Sequence, residues 1–140
     1  MAIEFVVSAI FPATPQEIYT AWLSSRGHSA MTGSPASATA KVGDEFDAWD
    51  GYIHGKNLEL EPGKRIVQSW RTSEFSKDEP DSRIEITLVA LGDQTKLILR
   101  HTGLPPHGGQ YEQGWVESYF DPMREYFLSR KTGQKSARNA

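Results

Sequence analysis

The chain has no cysteine, which excludes disulfides, thiolate nucleophiles and sulfur-bound metal. It has no excess of positive charge: 15 Lys and Arg against 18 Asp and Glu leave a net charge of −3. No basic stripe interrupts the body, so recognition of nucleic acid through phosphate contacts is not expected. No segment approaches the roughly 20 apolar residues that cross a bilayer, so no membrane insertion is expected. The start, Met1-Ala-Ile-Glu-Phe-Val-Val-Ser-Ala-Ile10, lacks a positive n-region and carries Glu4 early. It reads as a first strand rather than a signal peptide, and a soluble cytoplasmic protein is the expectation. G-x-S-x-G, H-E-x-x-H and Walker-type runs are missing as well. The four histidines have no paired spacing, so neither a metal site nor a cofactor is expected.

What is present is a meander followed by a helix. At 140 residues the chain is long enough for one domain that buries about 70% of its unfolded surface. Ile3 to Ile10 is a β-rich run. Thr14-Pro15-Gln16-Glu17 is a capping box with proline at the first helical position, and Ile18, Tyr19, Trp22 and Leu23 follow at helical spacing. Ser24-Ser25-Arg26-Gly27 is expected to end that helix, with a further short turn over 28–31. Residues 32–40 are small and polar and read as a mobile surface loop.

Asp50-Gly51 between two strand-like runs predicts a tight hairpin with positive φ at both turn residues. Pro62-Gly63 predicts the next turn, with an accompanying bulge, and Gly92-Asp93 suits a type II′ turn. Ile66, Gln68 and Trp70 share one strand face, as do Ile84, Ile86, Leu88 and Ala90, and then Leu97, Leu99 and His101. One apolar and one polar face is what an antiparallel sheet covered on one side requires. In the third strand the alternation is poorer, because Lys56 falls in register with Leu58 and Leu60. The linker over 73–81 is polar and charged. From Gln110 to about Arg130 the period becomes helical through Tyr111, Trp115, Tyr119, Met123 and Phe127, and Pro122 predicts a kink or restart near Asp121. Residues 131–140 read as a disordered polar tail.

The order strand, capped helix, five-strand meander and long helix resembles the SRPBCC (START-like, helix-grip) superfamily. Within it the chain is similar to the family related to the activator of the heat-shock-protein-90 ATPase. The words that carry the resemblance are Phe11-Pro-Ala-Thr-Pro-Gln-Glu-Ile-Tyr-Thr-Ala-Trp22, Val42-Gly43-Asp-Glu-Phe46, Trp49-Asp-Gly-Tyr-Ile-His-Gly55, Leu58-Glu-Leu-Glu-Pro62, Arg65-Ile-Val-Gln-Ser-Trp-Arg71, Thr95-Lys-Leu-Ile-Leu-Arg-His-Thr-Gly-Leu104 and Gly114-Trp115. They cover about residues 1–130 in the family's order. The resemblance implies an α+β helix-grip fold: about six curved antiparallel strands around the C-terminal helix, in the order β-α-(short α)-β-β-β-β-β-α, as one domain over 1–130. The superfamily hosts carriers, cyclases, hydrolases and protein-binding modules on this scaffold. In the eukaryotic activator such a domain follows a separate N-terminal one that carries the main chaperone contact. Here the first strand begins at Ile3, so the resemblance alone does not imply ATPase activation.

The leading expectation is a non-catalytic domain that binds a small apolar or amphipathic ligand between sheet and terminal helix. Trp22, Phe46, Gln68, Trp70, Leu88, Leu99, His101, Trp115 and Tyr119 are the candidate lining residues, with His101 and Gln68 orienting the ligand. The bland alternatives are a satisfied buried histidine, a satisfied buried amide and a plain aromatic core. His28 is placed to gate the cavity mouth, His54 lies near the sheet rim, and His107 is expected in solvent. A chaperone-associated interaction module is the alternative function. A cyclase or hydrolase using His101 as acid or base is the second alternative; no nucleophile–base pair is visible, so no catalytic residue is nominated.

Overall fold

The computed structural model describes residues 3–139, with side chains described through Arg130. The elements are β1 (Ile3–Phe11), α1 (Pro15–Trp22), α2 (Ser25–Thr32), β2 (Glu45–Ala48), β3 (Ile53–Glu61), β4 (Arg65–Thr72), β5 (Ser82–Leu91), β6 (Gln94–Leu104), a 3₁₀ turn (Pro106–Gly109), α3 (Gln110–Trp115), a π-helical turn (Val116–Phe120) and α4 (Asp121–Asn139). The six strands form one curved antiparallel sheet in the order β1-β6-β5-β4-β3-β2. The expected α+β helix-grip architecture is what the chain adopts.

Each element follows from local chemistry. The capping box forms as read: Glu17 N donates to Thr14 Oγ1 at 3.1 Å, and Thr14 N donates to Glu17 Oε1 at 2.9 Å. Alternation along β5 and β6 places Ile84, Ile86, Leu97 and Leu99 inward, each at most 1% exposed. The covering layer is Tyr111, Trp115, Tyr119, Phe120, Met123 and Phe127 from the terminal helix, and Phe11 of β1 packs edge-on to Phe120 and Phe127. The restart expected from Pro122 is present. A π-helical turn ends at Phe120, two residues before the proline, and the extra residue in that turn lets neighbouring Tyr119 and Phe120 both face the core. The tail expected over 131–140 falls where side chains lie outside the described residues.

Several local expectations are corrected. The Asp50-Gly51 connection is a four-residue loop, because Ala48 pairs with Ile53, and Trp49, Asp50 and Gly51 all have positive φ (54°, 56° and 87°). Gly27 does not end a helix; it lies within α2, where a Cβ would sit 2.7 Å from Ala21 Cα. Its missing side chain is what lets α2 close on α1. The loop after α2 is strapped down: Ala38 N donates to Ser25 Oγ (3.0 Å), Ala36 N to Ser29 Oγ (2.9 Å), and Ser37 pairs with Asp47. The weak alternation in β3 comes from a register shift between Asn57 and Glu59, which turns Leu58 and Glu59 both outward. The Gly92-Asp93 turn forms as expected, with Leu91 paired to Gln94 and φ of 64° at Gly92.

Gly55 marks the tightest crossing in the sheet, since a Cβ there would lie 1.9 Å from Ser69 O and 2.8 Å from Phe46 Cε1. Neither a backbone carbonyl nor a buried ring can yield that far. Gly55→Ala is therefore expected to destabilise the protein by about 3 kcal/mol or more, measured as a shift in the urea midpoint without a change in slope.

Candidate functional site

Three hydrogen-bond relays fix the interior before any cavity is considered. In the first, Trp22 Nε1 donates to Gln68 Oε1 (3.2 Å), Gln68 Nε2 donates to Asn57 Oδ1 (2.8 Å), and Asn57 Nδ2 donates to the carbonyls of Thr39 and Lys41 (2.9 Å each). This relay ties α1, β4, β3 and the long loop together. In the second, Trp115 Nε1 donates to His101 Nδ1 at 3.0 Å. An indole nitrogen is only a donor, so Nδ1 accepts and the proton of the neutral ring is on Nε2. Nε2–H then donates to Ser82 Oγ (2.8 Å), which donates to Trp70 O (2.9 Å). In the third, His28 Nδ1–H donates to Trp22 O (2.9 Å), and Nε2 accepts from Tyr119 Oη (2.7 Å). Both buried imidazoles are thus neutral with both nitrogens committed.

Burial sets their acid–base properties. It drives the His101 pKa from 6.5 down to about 3 and lowers that of His28, against a smaller opposing effect of the Trp22 carbonyl. Burial raises the Tyr119 phenol above its ordinary value. His54 faces outward on β3, and His107 lies on the surface, its Nε2 2.9 Å from Glu79 Oε1.

A half-open cavity of about 420 Å³ lies between the β2–β3 loop and the terminal helix. Trp49, Tyr52 and Ile53 wall it on the loop side, Trp70 forms part of the sheet side, and Gln110, Tyr111, Gly114, Trp115, Ser118 and Tyr119 close the helix side. The rings form one packed cluster of edge-on and tilted contacts: Trp70 to Tyr111 5.0 Å, Trp70 to Trp115 5.6 Å and Trp115 to Tyr119 4.8 Å between centroids. At the rim, Tyr52 Oη donates to Glu74 Oε2, and burial together with that carboxylate raises the Tyr52 pKa. Tyr111 Oη lies 2.6 Å from Thr72 Oγ1 and 3.5 Å from the same Glu74 oxygen.

Of the nine candidate lining residues, the structure brings Trp70, Trp115 and Tyr119 onto this cavity. Trp22 stands behind Trp115 and Tyr119, Gln68 is spent in the first relay, and His101 is fully buried behind Trp115. Leu88 and Leu99 belong to the packed core, and Phe46 lies beneath Gly55. His28 is pinned inside rather than at a mouth. Trp49, Tyr52, Ile53, Gln110, Tyr111, Gly114 and Ser118 line it without having been candidates. Trp49 and Tyr52 flank the Asp50-Gly51 turn, and Tyr111 shares the helical aromatic period, which is the signal that pointed toward them. Phe75, 7% exposed within the charged linker, packs against Trp70 and Tyr111 and anchors the segment that carries Glu74.

The sequence pattern of the family described as "Activator of Hsp90 ATPase homolog 1-like protein" matches residues 12–127. The chain belongs to that family. It is 29% identical over 118 residues to the human activator of 90 kDa heat shock protein ATPase homolog 1, covering 84% of this chain and 35% of that protein. It is likewise 29% identical over 119 residues to the Dictyostelium discoideum homolog, covering 84% of this chain and 31% of that protein. The chain thus spans about a third of the length of these relatives. Among solved structures it resembles an HSP90 activator from Plasmodium falciparum (TM-score 0.77, 22% identity, 85% of this chain and 91% of that one). It also resembles a protein from Chromobacterium violaceum (TM-score 0.71, 23% identity, 89% and 96%). At these identities the structural likeness shows the shared fold.

The neutral imidazoles carry a pH signature. Between pH 6.5 and about 3 the unfolded chain binds a proton at His101 that the folded protein does not, so stability is present above that window and is lost as pH falls through it. His28 acts in the same direction. Stability is expected to drop by about 2–3 kcal/mol between about pH 7.5 and about pH 4.5, measured by urea unfolding. His101→Phe is expected to be less stable at neutral pH by about 1–3 kcal/mol, because Trp115 Nε1–H loses its acceptor, and to show a shallower pH dependence.

Proposed function

We propose that this protein binds a small apolar or amphipathic molecule in the cavity between the β2–β3 loop and the terminal helix. The observation that carries the reading is Gly114. It lies inside α3, has no positive φ, and no atom outside its own turn comes within 4 Å of where a Cβ would be. A helix-interior glycine of this kind costs about 1 kcal/mol relative to alanine. Neither a turn nor a close approach requires it, and its effect is to leave space at the cavity wall. The volume of about 420 Å³ lies in the ordinary range for small-molecule sites, roughly 300–1,000 Å³. The walls offer aromatic surface with phenol, amide and hydroxyl groups placed around it. With both ring nitrogens of His28 and His101 committed to protein partners, the arrangement favours binding over acid–base catalysis.

Gly114→Ala is expected to stabilise the protein by about 0.5–1 kcal/mol. Gly114→Leu is expected to keep the fold and fill the cavity. Native mass spectrometry of protein purified from its host cells should show a bound small molecule in the wild type and none in Gly114→Leu. Equal occupancy in the two, or none in the wild type, would contradict the reading.

The relatives named as activators of the 90 kDa heat shock protein ATPase favour a second reading, in which the domain contacts that chaperone through its surface. Calorimetric titration with the chaperone separates the two, because Gly114→Leu should leave a surface contact unchanged. No heat of binding in either protein would count against the chaperone contact.

A further inference from the structure

Six of the ten residues that wall the cavity beside α3 are aromatic: Trp49 and Tyr52 from the β2–β3 loop, Trp70 from β4, and Tyr111, Trp115 and Tyr119 from the terminal helix. Their polar atoms are not what they offer an occupant. Tyr52 Oη donates to Glu74, Tyr111 Oη lies 2.6 Å from Thr72 Oγ1, and Tyr119 Oη donates to His28 Nε2. The Trp115 indole N–H is taken by His101, and that of Trp49 is shielded from the cavity's solvent. Ring surface is therefore what these residues present. The planes are not parallel: Trp70 stands at 79° to Tyr111 and 40° to Trp115, and Trp115 at 43° to Tyr119. Rings inclined in this way line a rounded hollow rather than a flat slot.

The charge around the hollow has one sign. No Lys, Arg or His is among the lining residues. Two of the wall phenols, Tyr52 and Tyr111, converge on Glu74 Oε2, and among the described residues no ion pair neutralises that carboxylate. Arg71, on the strand that leads into the Glu74 segment, borders a different groove and pairs with Asp81 at 2.8 Å. Aromatic faces carry the negative side of a quadrupole and attract cations, quaternary ammonium groups above all. An anion would meet those faces and Glu74 with no counter-charge, and a neutral molecule would gain from neither. We propose that the hollow is an aromatic cage for a small molecule with an alkylated ammonium head. Glu74 supplies the counter-charge through its field across the wall phenols rather than by contact. The proposal rests on the cavity being a binding site.

Ligand-observed NMR titration with acetylcholine and 3,3-dimethylbutyl acetate tests it, because the two share one shape and differ by a charged nitrogen in place of a carbon. Wild-type protein is expected to bind the cation about five- to thirtyfold more tightly, the value of cation–π attraction in a partly desolvated site. Biosynthetic replacement of tryptophan by mono- and then difluorotryptophan withdraws electrons from the ring faces and barely alters their shape. Cation affinity should fall stepwise, by about two- to fivefold over the series, while the neutral ester changes by less than about twofold. Glu74→Gln keeps an acceptor for Tyr52 and removes the charge; it should weaken the cation about two- to fivefold and spare the ester. Gly114→Leu should abolish binding of both probes. Equal binding of the two by wild type, or a cation affinity indifferent to fluorination, would overturn the cage while leaving the cavity reading intact. An unchanged cation affinity in Glu74→Gln would overturn the counter-charge. Cation binding that survives Gly114→Leu would put the cation outside the hollow and overturn the cage as well. Binding of neither probe to wild type would also overturn the cage, and the cavity reading would then be judged separately by the molecule carried from the host.

Discussion

The hydrogen bond from Trp115 to His101 sets the distance between the terminal helix and the sheet, and the rest of the site follows from it. Because His101 passes its own proton to Ser82, and Ser82 donates to the Trp70 carbonyl, one relay spans α3, β6, β5 and β4. The imidazole must be neutral to accept from an indole, so burial and hydrogen bonding agree on its protonation state. With Trp115 held there, its ring contacts Trp22, Trp70 and Tyr119 at once. The helix cannot settle further toward the β2–β3 loop, and a hollow is left at that end of the sheet.

The interior therefore has two characters. Beneath α4 and the β5–β6 pair it is solid, with Leu97, Leu99, Met123 and Ile84 fully excluded from solvent. Beside α3 it is open, and there two local rules that hold elsewhere are broken: a helical glycine with nothing to avoid and a tryptophan at positive φ. Natural sequences tend to break such rules where function demands it. The polar residues that the sequence singles out, His28, Gln68 and His101, lie behind the cavity wall and hold Tyr119, Trp22 and Trp115 in place.

The fold was legible because period and punctuation agreed along the chain. The capping box at Thr14, the inward alternation of Ile84, Ile86 and Leu88, and the change to helical spacing after Gln110 all point to one architecture. The site was less legible, for two physical reasons. Alternation says that His101 and Gln68 point inward, but not whether a void or a partner meets them, and here Trp115 and Asn57 do. The walls of the cavity also come largely from a loop whose length a dipeptide does not determine. Asp50-Gly51 signals reversal, and only the pairing of Ala48 with Ile53 shows that Trp49 and Tyr52 belong to the turn and so reach the hollow. Phe75 escaped notice because it sits among charges, where a single aromatic carries no period.

Family membership places the chain beside activators of a heat-shock ATPase, and it spans about a third of their length. A fold by itself does not fix an activity, and the proposed binding role rests on the hollow beside α3. The most direct test of that hollow is xenon binding, since an apolar cavity takes up xenon without needing a specific ligand. Crystals of the ligand-free protein under xenon pressure should show an ordered atom between Trp70, Gly114 and the β2–β3 loop. Collapsed side chains filling that space, with no xenon there, would contradict the account.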